Sequence, residues 1–485
     1  MKIKIKVLFS LFFFILVFTF GCWSSKETKE DPIAVINVDI NELNGFSNQF
    51  TMISAQPAAK PEGNGASSTT YSFTLTSAAG TSGSYIASSN SELASAGDKS
   101  LTAKNSIYGA GQIACDNKMR QIENELLASQ KTQLTKSTRS GINLSAPATP
   151  IVGIPWENVK VYNGTSMVLI DTHCRYITTY AYIFIDDDDW PAFTSGGTYG
   201  TAFDTTYEKN HTKFGTENDT DGNGKVIIVF SGKLTGGLLG YFYSGDKYAY
   251  NASTNPDSNE GDIFYITTDG YTSSTINGTL AHEFQHMIYF DQHVNRGVTS
   301  TYTWLNEALS QAAEYYNTYT DNHLGHIQNF LANGWEGLSL THWASLGNYG
   351  YGAIFIRYLI DQYGDTAIYN MCSTSNVGIH AVEAATGQDF NTIFNNFAQA
   401  LVLSDVASNT NTLYQFKNPP LDLEDVQPTP LNGRRGLTTS YLLVPGNSAN
   451  WWLYPYEIWF VNWTGTFKSM TITGNNIACN PIGYN

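Results

Sequence analysis

TLAHEFQHMIYF, residues 279–290, sets His282 and His286 four residues apart on an apolar background. Residues at that spacing lie on one face of a helix, so both rings can reach one metal ion. Glu283 is rotated about a quarter turn from His282 and can reach a water held on that metal. Two histidines and one carboxylate hold zinc with a fourth position left for water. Zinc lowers the pKa of such a water to roughly 7 and polarises a carbonyl. Glu283 is then placed to take the proton and pass it to a leaving amine.

Working outward, the centre needs a carboxylate. TWLNEALSQAAEYY begins at Thr303 and carries Asn306-Glu307 at the start of a second helical pattern. Twenty residues lie between His286 and Glu307, enough to finish one helix, turn and bring a second beside it. A third histidine is disfavoured, because Tyr289 and Gln292 stand where that pattern needs Gly and His. His293 is one residue out of register and reads as a surface histidine, and Asp291 is too near on the same helix. The arrangement resembles the gluzincin clan of metallopeptidases, whose third ligand is a Glu in an Asn-Glu context on the next helix. Further on comes NYGYGAIFIRYLIDQYG. In some gluzincins a Tyr three residues before a Gly-Ala pair starts a helix and donates to the oxyanion. Tyr349 has that spacing to Gly352-Ala353, with Tyr351 the neighbouring candidate. A phenol suits the charge that develops on a tetrahedral intermediate.

The stretch from about residue 180 to 404 resembles the hyicolysin family of neutral zinc metallopeptidases. The pieces that carry it are NDTDGNGKVIIVF, SNEGDIFYITT, GTLAHEFQHMIYF, TWLNEALSQAAEYY and YGYGAIFIRYLIDQYGD. The resemblance implies an α+β fold: a gluzincin-type domain with a mixed β-sheet subdomain and a helical subdomain. It implies His282, His286 and Glu307 as zinc ligands and Glu283 as base. Ala308 stands where relatives often have Gly, a change that favours helix.

β-rich regions flank that domain. IAVINVDI alternates at Ile36, Val38 and Ile40, YSFTLTS does the same, and a helical spacing runs from about Gln112 to Gln130. A Ser/Thr-rich linker spans 131–150 and marks a boundary. VKVYNG, YITTYAYIFI, KVIIVF and DIFYITT read as strands within a β-rich 155–270. The period is then helical from Thr275 to about Asp405, and from Pro419 the pattern returns to β. The expected organisation is a leader over 1–22, a tether and β/helix region over 23–140, the peptidase domain over 150–405 and a β-rich domain over 406–485.

Lys2, Lys4 and Lys6 precede a charge-free run from Val7 to Phe20, then Gly21-Cys22. Fourteen residues are short for a membrane span, which needs ~20, and fit an export signal. A small residue followed by Cys resembles a bacterial lipoprotein signal, although Thr19 and Phe20 depart from the common pattern. Cys22 is thus the expected lipidation site, with export to a bacterial membrane surface and simple secretion as the alternative. Cys115, Cys174, Cys372 and Cys479 show no C-x-x-C spacing, which disfavours a cysteine-based zinc site. The net charge of −16 and the 14% share of charged residues argue against nucleic acid as a partner. The expected partners are protein or peptide substrates and, through the lipid, a membrane.

Asp219, Asp221 and Asn223 place oxygens at positions 1, 3 and 5 of a loop with Gly224 at position 6, the front half of a calcium loop. Phe230 at position 12 excludes a standard EF-hand, and the same residues suit a tight turn before KVIIVF. Ca2+ is therefore a candidate second cofactor beside Zn2+. Asp186 to Asp189 read as a solvated acidic loop. His323, His326 and His342 are candidates for substrate contact. Substrate is expected to pair with a strand edge near DIFYITT. The functional expectation is an exported zinc endopeptidase. The alternative is a catalytically weak adhesion or binding lipoprotein that keeps the peptidase fold. An aminopeptidase would need an acidic cluster for a free amine, and none is identified.

Overall fold

A computed structural model describes residues 34–38, 48–63, 67, 69–77, 83–87, 110–133, 145–333, 337–404, 406, 408–417, 441, 442, 448–465 and 470–484. The leader, Cys22 and the tether lie outside these residues. No helix among the described residues is long and apolar enough to cross a membrane. The fold is mixed α+β.

The centre is a six-stranded sheet in the order β5-β6-β7-β8-β10-β9. It comprises β5 (Pro155–Tyr162), β6 (Met167–Ile177), β7 (Ala181–Asp186), β8 (Val226–Phe230), β9 (Gly240–Phe242) and β10 (Ile263–Ile266). β7, β8 and β10 run parallel, and the remaining pairs are antiparallel. Every residue of β7, β8 and β10 is buried, as expected for strands covered on both faces. Period-two alternation sends Ile183, Ile185, Ile228 and Phe264 into the core shared with the helices. Tyr182, Phe184, Ile227 and Tyr265 go into a second core on the opposite face.

The helices are α1 (Ala110–Ser129), α2 (Gly196–Phe214), α3 (Ser273–Val294), α4 (Thr303–Tyr316), α5 (Thr320–Asn333), α6 (Gly347–Cys372), α7 (Gly378–Thr386) and α8 (Phe390–Leu403). The Thr272 hydroxyl accepts from the Thr275 amide at 3.1 Å and caps the start of α3. Gly364, at φ 76°, divides α6 with a backbone angle that glycine adopts at little cost. Helix α2 lies inside the stretch read as β-rich. Its buried residues Tyr199, Phe203, Thr206, Asn210 and Phe214 step by three or four, a helical signal masked by its Gly and Thr content.

The two β-rich flanks, read as separate regions, share their sheets. β1 (Ala34–Val38) and β3 (Tyr71–Ser77) join β12 (Ser448–Leu453) and β14 (Met470–Gly474) in the order β1-β14-β3-β12. β2 (Asn48–Ala55) and β4 (Gly83–Ala87) join β11 (Tyr441–Leu442), β13 (Ile458–Gly465) and β15 (Ile477–Tyr484) in the order β11-β4-β13-β2-β15. Strand β2 is flanked on both sides by C-terminal strands. The start and end of the described chain therefore fold together.

The expected substrate edge at DIFYITT is corrected: β10 pairs with β8 on one side and β9 on the other. Strand β9 is the edge of the sheet.

Candidate metal centre

His282 and His286 lie on α3, their ring centroids 4.8 Å apart. α4 packs against α3 and brings Glu307 to both. Glu307 Oε2 is 3.1 Å from Nε2 of His282 and 3.5 Å from Nε2 of His286. One donor atom from each of the three residues lies within 4.8 Å of the others. Both histidines turn Nε2 inward and hold Nδ1 on an acceptor. Nδ1 of His282 is 2.8 Å from Glu314, and Nδ1 of His286 is 3.0 Å from the side-chain Oδ1 of Asn306. Such partners fix the tautomer that leaves Nε2 free to ligate. Glu307 Oε1 is buried without a hydrogen-bond partner, a cost that a cation at this point would remove. The residues fit zinc by donor type, number and orientation.

The electrostatics agree. Burial works to raise the pKa of Glu307, but His286 and His282 outweigh it and hold the carboxyl well below its usual range. Burial lowers His282, yet hydrogen bonds to Glu307 and Glu314 raise it overall. Burial, with the charge of Arg120, takes His286 down to about 4. Glu283 is pushed up to about 7 by burial, with His282 opposing and Glu307 adding to the rise.

Tyr349 stands in the first turn of α6, its ring 6.3 Å from that of His282. It stacks on His326 of α5 at 4.9 Å, and its hydroxyl donates to Asp116 of α1. Gly350 is required here, since a Cβ would lie 2.1 Å from the His326 carbonyl oxygen. Tyr351 points elsewhere, donating to the Tyr456 carbonyl at 2.9 Å. Of the two tyrosines, Tyr349 is the one beside the histidines.

His293 is corrected from a surface to a fully buried residue, its Nδ1 2.7 Å from the Tyr289 carbonyl. His323 is also buried, while His342 packs beside Gly63. Asp186 is buried at the end of β7, and its carboxylate accepts from Ser231 at 2.7 Å. The other three acids of that run are tied down: Asp187 to His173 and Arg175, Asp188 to Lys233, Asp189 to the Gly232 amide.

In the Asp219 loop, the carboxylates of Asp219 and Asp221 converge with that of Asp262. Asn223 donates to Asp221 and accepts from the Lys225 amide, which closes the turn. Lys247 pairs with Asp262 from the other side.

Sequence reading missed Glu314, which lies two helical turns beyond Glu307 and so on the same face. It also missed the contribution of α1. Helix α1 sets Asp116, Arg120 and Glu123, all buried, close to Glu283 and Glu307.

The chain is similar to a neutral metalloprotease. Over 174 residues it is 30% identical to the neutral metalloprotease ShpI of Staphylococcus hyicus, a match covering 31% of this chain and 38% of that relative. The chain thus spans well under half of that relative's length. Among solved structures, an M1 zinc metallopeptidase mutant from Deinococcus radiodurans aligns with 48% of this chain and 49% of its own, at 12% identity and a TM-score of 0.29. No protein-family profile matches the chain.

Proposed function

We propose that this chain is a zinc-dependent endopeptidase of the gluzincin type, close in its motifs to the hyicolysins. The observation that carries the reading is the convergence of both Nε2 atoms on Glu307, with Glu283 buried beside them. His282, His286 and Glu307 would hold the metal, which when bound makes water nucleophilic near neutral pH and polarises a carbonyl. Glu283 takes the proton of the attacking water and returns it to the leaving amine. Its raised pKa suits a group that must both accept and release a proton near neutrality. Tyr349 donates to the oxygen that becomes negative. Similarity to a neutral metalloprotease supports protein or peptide substrates.

The leader motif supports export and lipidation at Cys22, which would hold the enzyme on a bacterial membrane without a spanning helix. Calcium in the Asp219 loop would take Asp219, Asp221 and Asp262 as its carboxylates, and a calcium-dependent rise in Tm would test it.

The deciding experiment compares residues 23–485 with the Glu283→Gln variant, measuring bound zinc and cleavage of unfolded casein. Glutamine removes the base and spares the ligands. About one zinc in each, as a single three-ligand site requires, with the parent's cleavage, however slow, lost in the variant supports the proposal. Absence of zinc from both would reject the ligand set. Zinc with equal cleavage by both would reject Glu283 as the base.

A further inference from the structure

Every group of the centre is sealed from solvent. His282 is 3% exposed, Glu283 4%, His286 2%, Glu307 1% and Tyr349 0%. The cover includes α1, which lies outside the stretch that carries the peptidase motifs.

One face of α1 presents Gln112, Asp116, Arg120 and Glu123, spaced four, four and three residues apart and all buried. Gln112 meets the edge strand. Its side-chain amide nitrogen donates to the Gly240 carbonyl at 3.2 Å, and its carbonyl oxygen accepts from the Leu239 amide at 3.1 Å. That is the donor and acceptor pair that the backbone of an extended peptide offers to an edge strand. One turn later Asp116 accepts from the Tyr349 hydroxyl and from Gln112. Arg120 pairs with Glu123 at 3.1 Å, and Asn306 donates to Glu123 at 3.4 Å. Asn124 and Gln130 then bond the backbone of the loop between α3 and α4, at Thr301 and Val298. The flanks of the helix are apolar: Cys115 and Met119 join the core on the far side of the sheet, and Leu127 joins the helical core. Buried charges are costly even when paired and are uncommon in a core. A polar face whose groups occupy the edge strand and the oxyanion tyrosine is built to fill a substrate groove.

We infer that α1 is an intramolecular inhibitor that holds the enzyme latent, Gln112 occupying the substrate-pairing edge of β9 and Asp116 engaging Tyr349. This rests on the peptidase reading for its consequence, though not for its geometry. Because β2 and β3 are paired with C-terminal strands, the N-terminal region stays attached when α1 lifts. Activation is therefore an undocking of one helix rather than loss of the whole N-terminal region.

The test uses the full chain and the Asp116→Ala/Arg120→Ala variant, with Gln112→Glu as a second, single change that sets a carboxylate against the Gly240 carbonyl and Asp116. Exposed Gln121→Ala on the opposite face is the control. The first readout needs neither metal nor activity: carbethoxylation of His282 and His286 in chelator-treated protein, located by mass spectrometry. Protection in the parent and control, with labelling at least about tenfold faster in either docking variant, supports the inference; ~1.4 kcal/mol of lost docking corresponds to that factor. Equal labelling in all forms overturns it. The second readout is peptide cleavage, expected to rise in the docking variants and to be suppressed by a synthetic peptide of residues 108–131 but not by its scrambled version. Docking variants that keep the circular dichroism of the parent and lose activity would make α1 an integral wall of the site and overturn the inference. Fast labelling without cleavage in any form would instead reject the peptidase reading and leave the docking of α1 standing.

Discussion

Glu314 holds Nδ1 of His282 at 2.8 Å while Glu307, two turns earlier on the same helix, faces its Nε2 at 3.1 Å. One imidazole is thus gripped from both sides by carboxylates of α4. Gln311 donates to the same Glu314 oxygen at 2.8 Å and steadies it. Removing the outer carboxylate frees the ring to rotate and lowers its basicity, so Glu314→Ala should weaken zinc binding about 10–100-fold. Competition with a chromophoric chelator measures this. Unchanged affinity would mean that packing alone orients His282.

Lys247 is fully buried and places its ammonium between Asp262 and Asp291, with a third bond to the Asn218 carbonyl at 2.8 Å. Asp291 belongs to α3, so this charge ties the helix that carries His282 and His286 to the Asp219 loop. Burial lowers a lysine, but Asp262 and Asp291 dominate and raise Lys247 overall. Lys247→Met would leave two buried carboxylates without their cation and should cost about 3–5 kcal/mol. Urea denaturation would show the loss as a lower midpoint with little change in slope.

Glu62 gives a pH dependence with a definite sign. Its carboxylate accepts from Trp304 Nε1 at 2.7 Å and from the Ile379 amide, in the first turn of α7, at 2.8 Å. Burial nevertheless pushes its pKa up to about 7. The folded state then binds this proton more tightly than the unfolded state. Stability falls as pH rises from about 4.5 to 7, and the penalty is complete above that. Glu62→Gln keeps an oxygen for both donors and removes the charge. It should raise Tm at pH 8 and change it little at pH 4. A Tm gain of equal size at both pH values would refute the electrostatic account.

How far the site is legible from sequence depends on how local its signal is. His282, Glu283 and His286 are fixed by spacing within one helix. Glu307 needs only the next helix, and the Asn-Glu context carries it. KVIIVF and DIFYITT are short apolar runs, and both are strands of the central sheet. Helix α2 escaped because Gly196, Gly197, Gly200 and five threonines weaken its propensity, while its burial comes from tertiary packing. The pairing of β2 with β13 and β15 joins residues some 400 positions apart, and no local pattern encodes such a partner. The same holds for α1. Its helical period is visible, but a polar stripe looks like a solvated face until the groove that receives it is known.

Tyr349 and Tyr351 are separated in role by what their hydroxyls touch. Tyr351 is fully buried and bonded to the Tyr456 carbonyl, so Tyr351→Phe should cost about 1 kcal/mol of stability and leave kcat unchanged. Tyr349 has its hydroxyl on Asp116, a residue of the covering helix, so the proposed undocking of α1 would break that bond and free the donor for substrate. In the Asp116→Ala/Arg120→Ala background, Tyr349→Phe should lower kcat about 10²–10³-fold with little change in KM, because the bond is made only as charge develops on the oxygen. Zinc content should stay the same, which separates a lost donor from a damaged metal site. A rise in KM at constant kcat would instead make Tyr349 a wall of the groove, and His326, stacked against it at 4.9 Å, would be the next donor to replace.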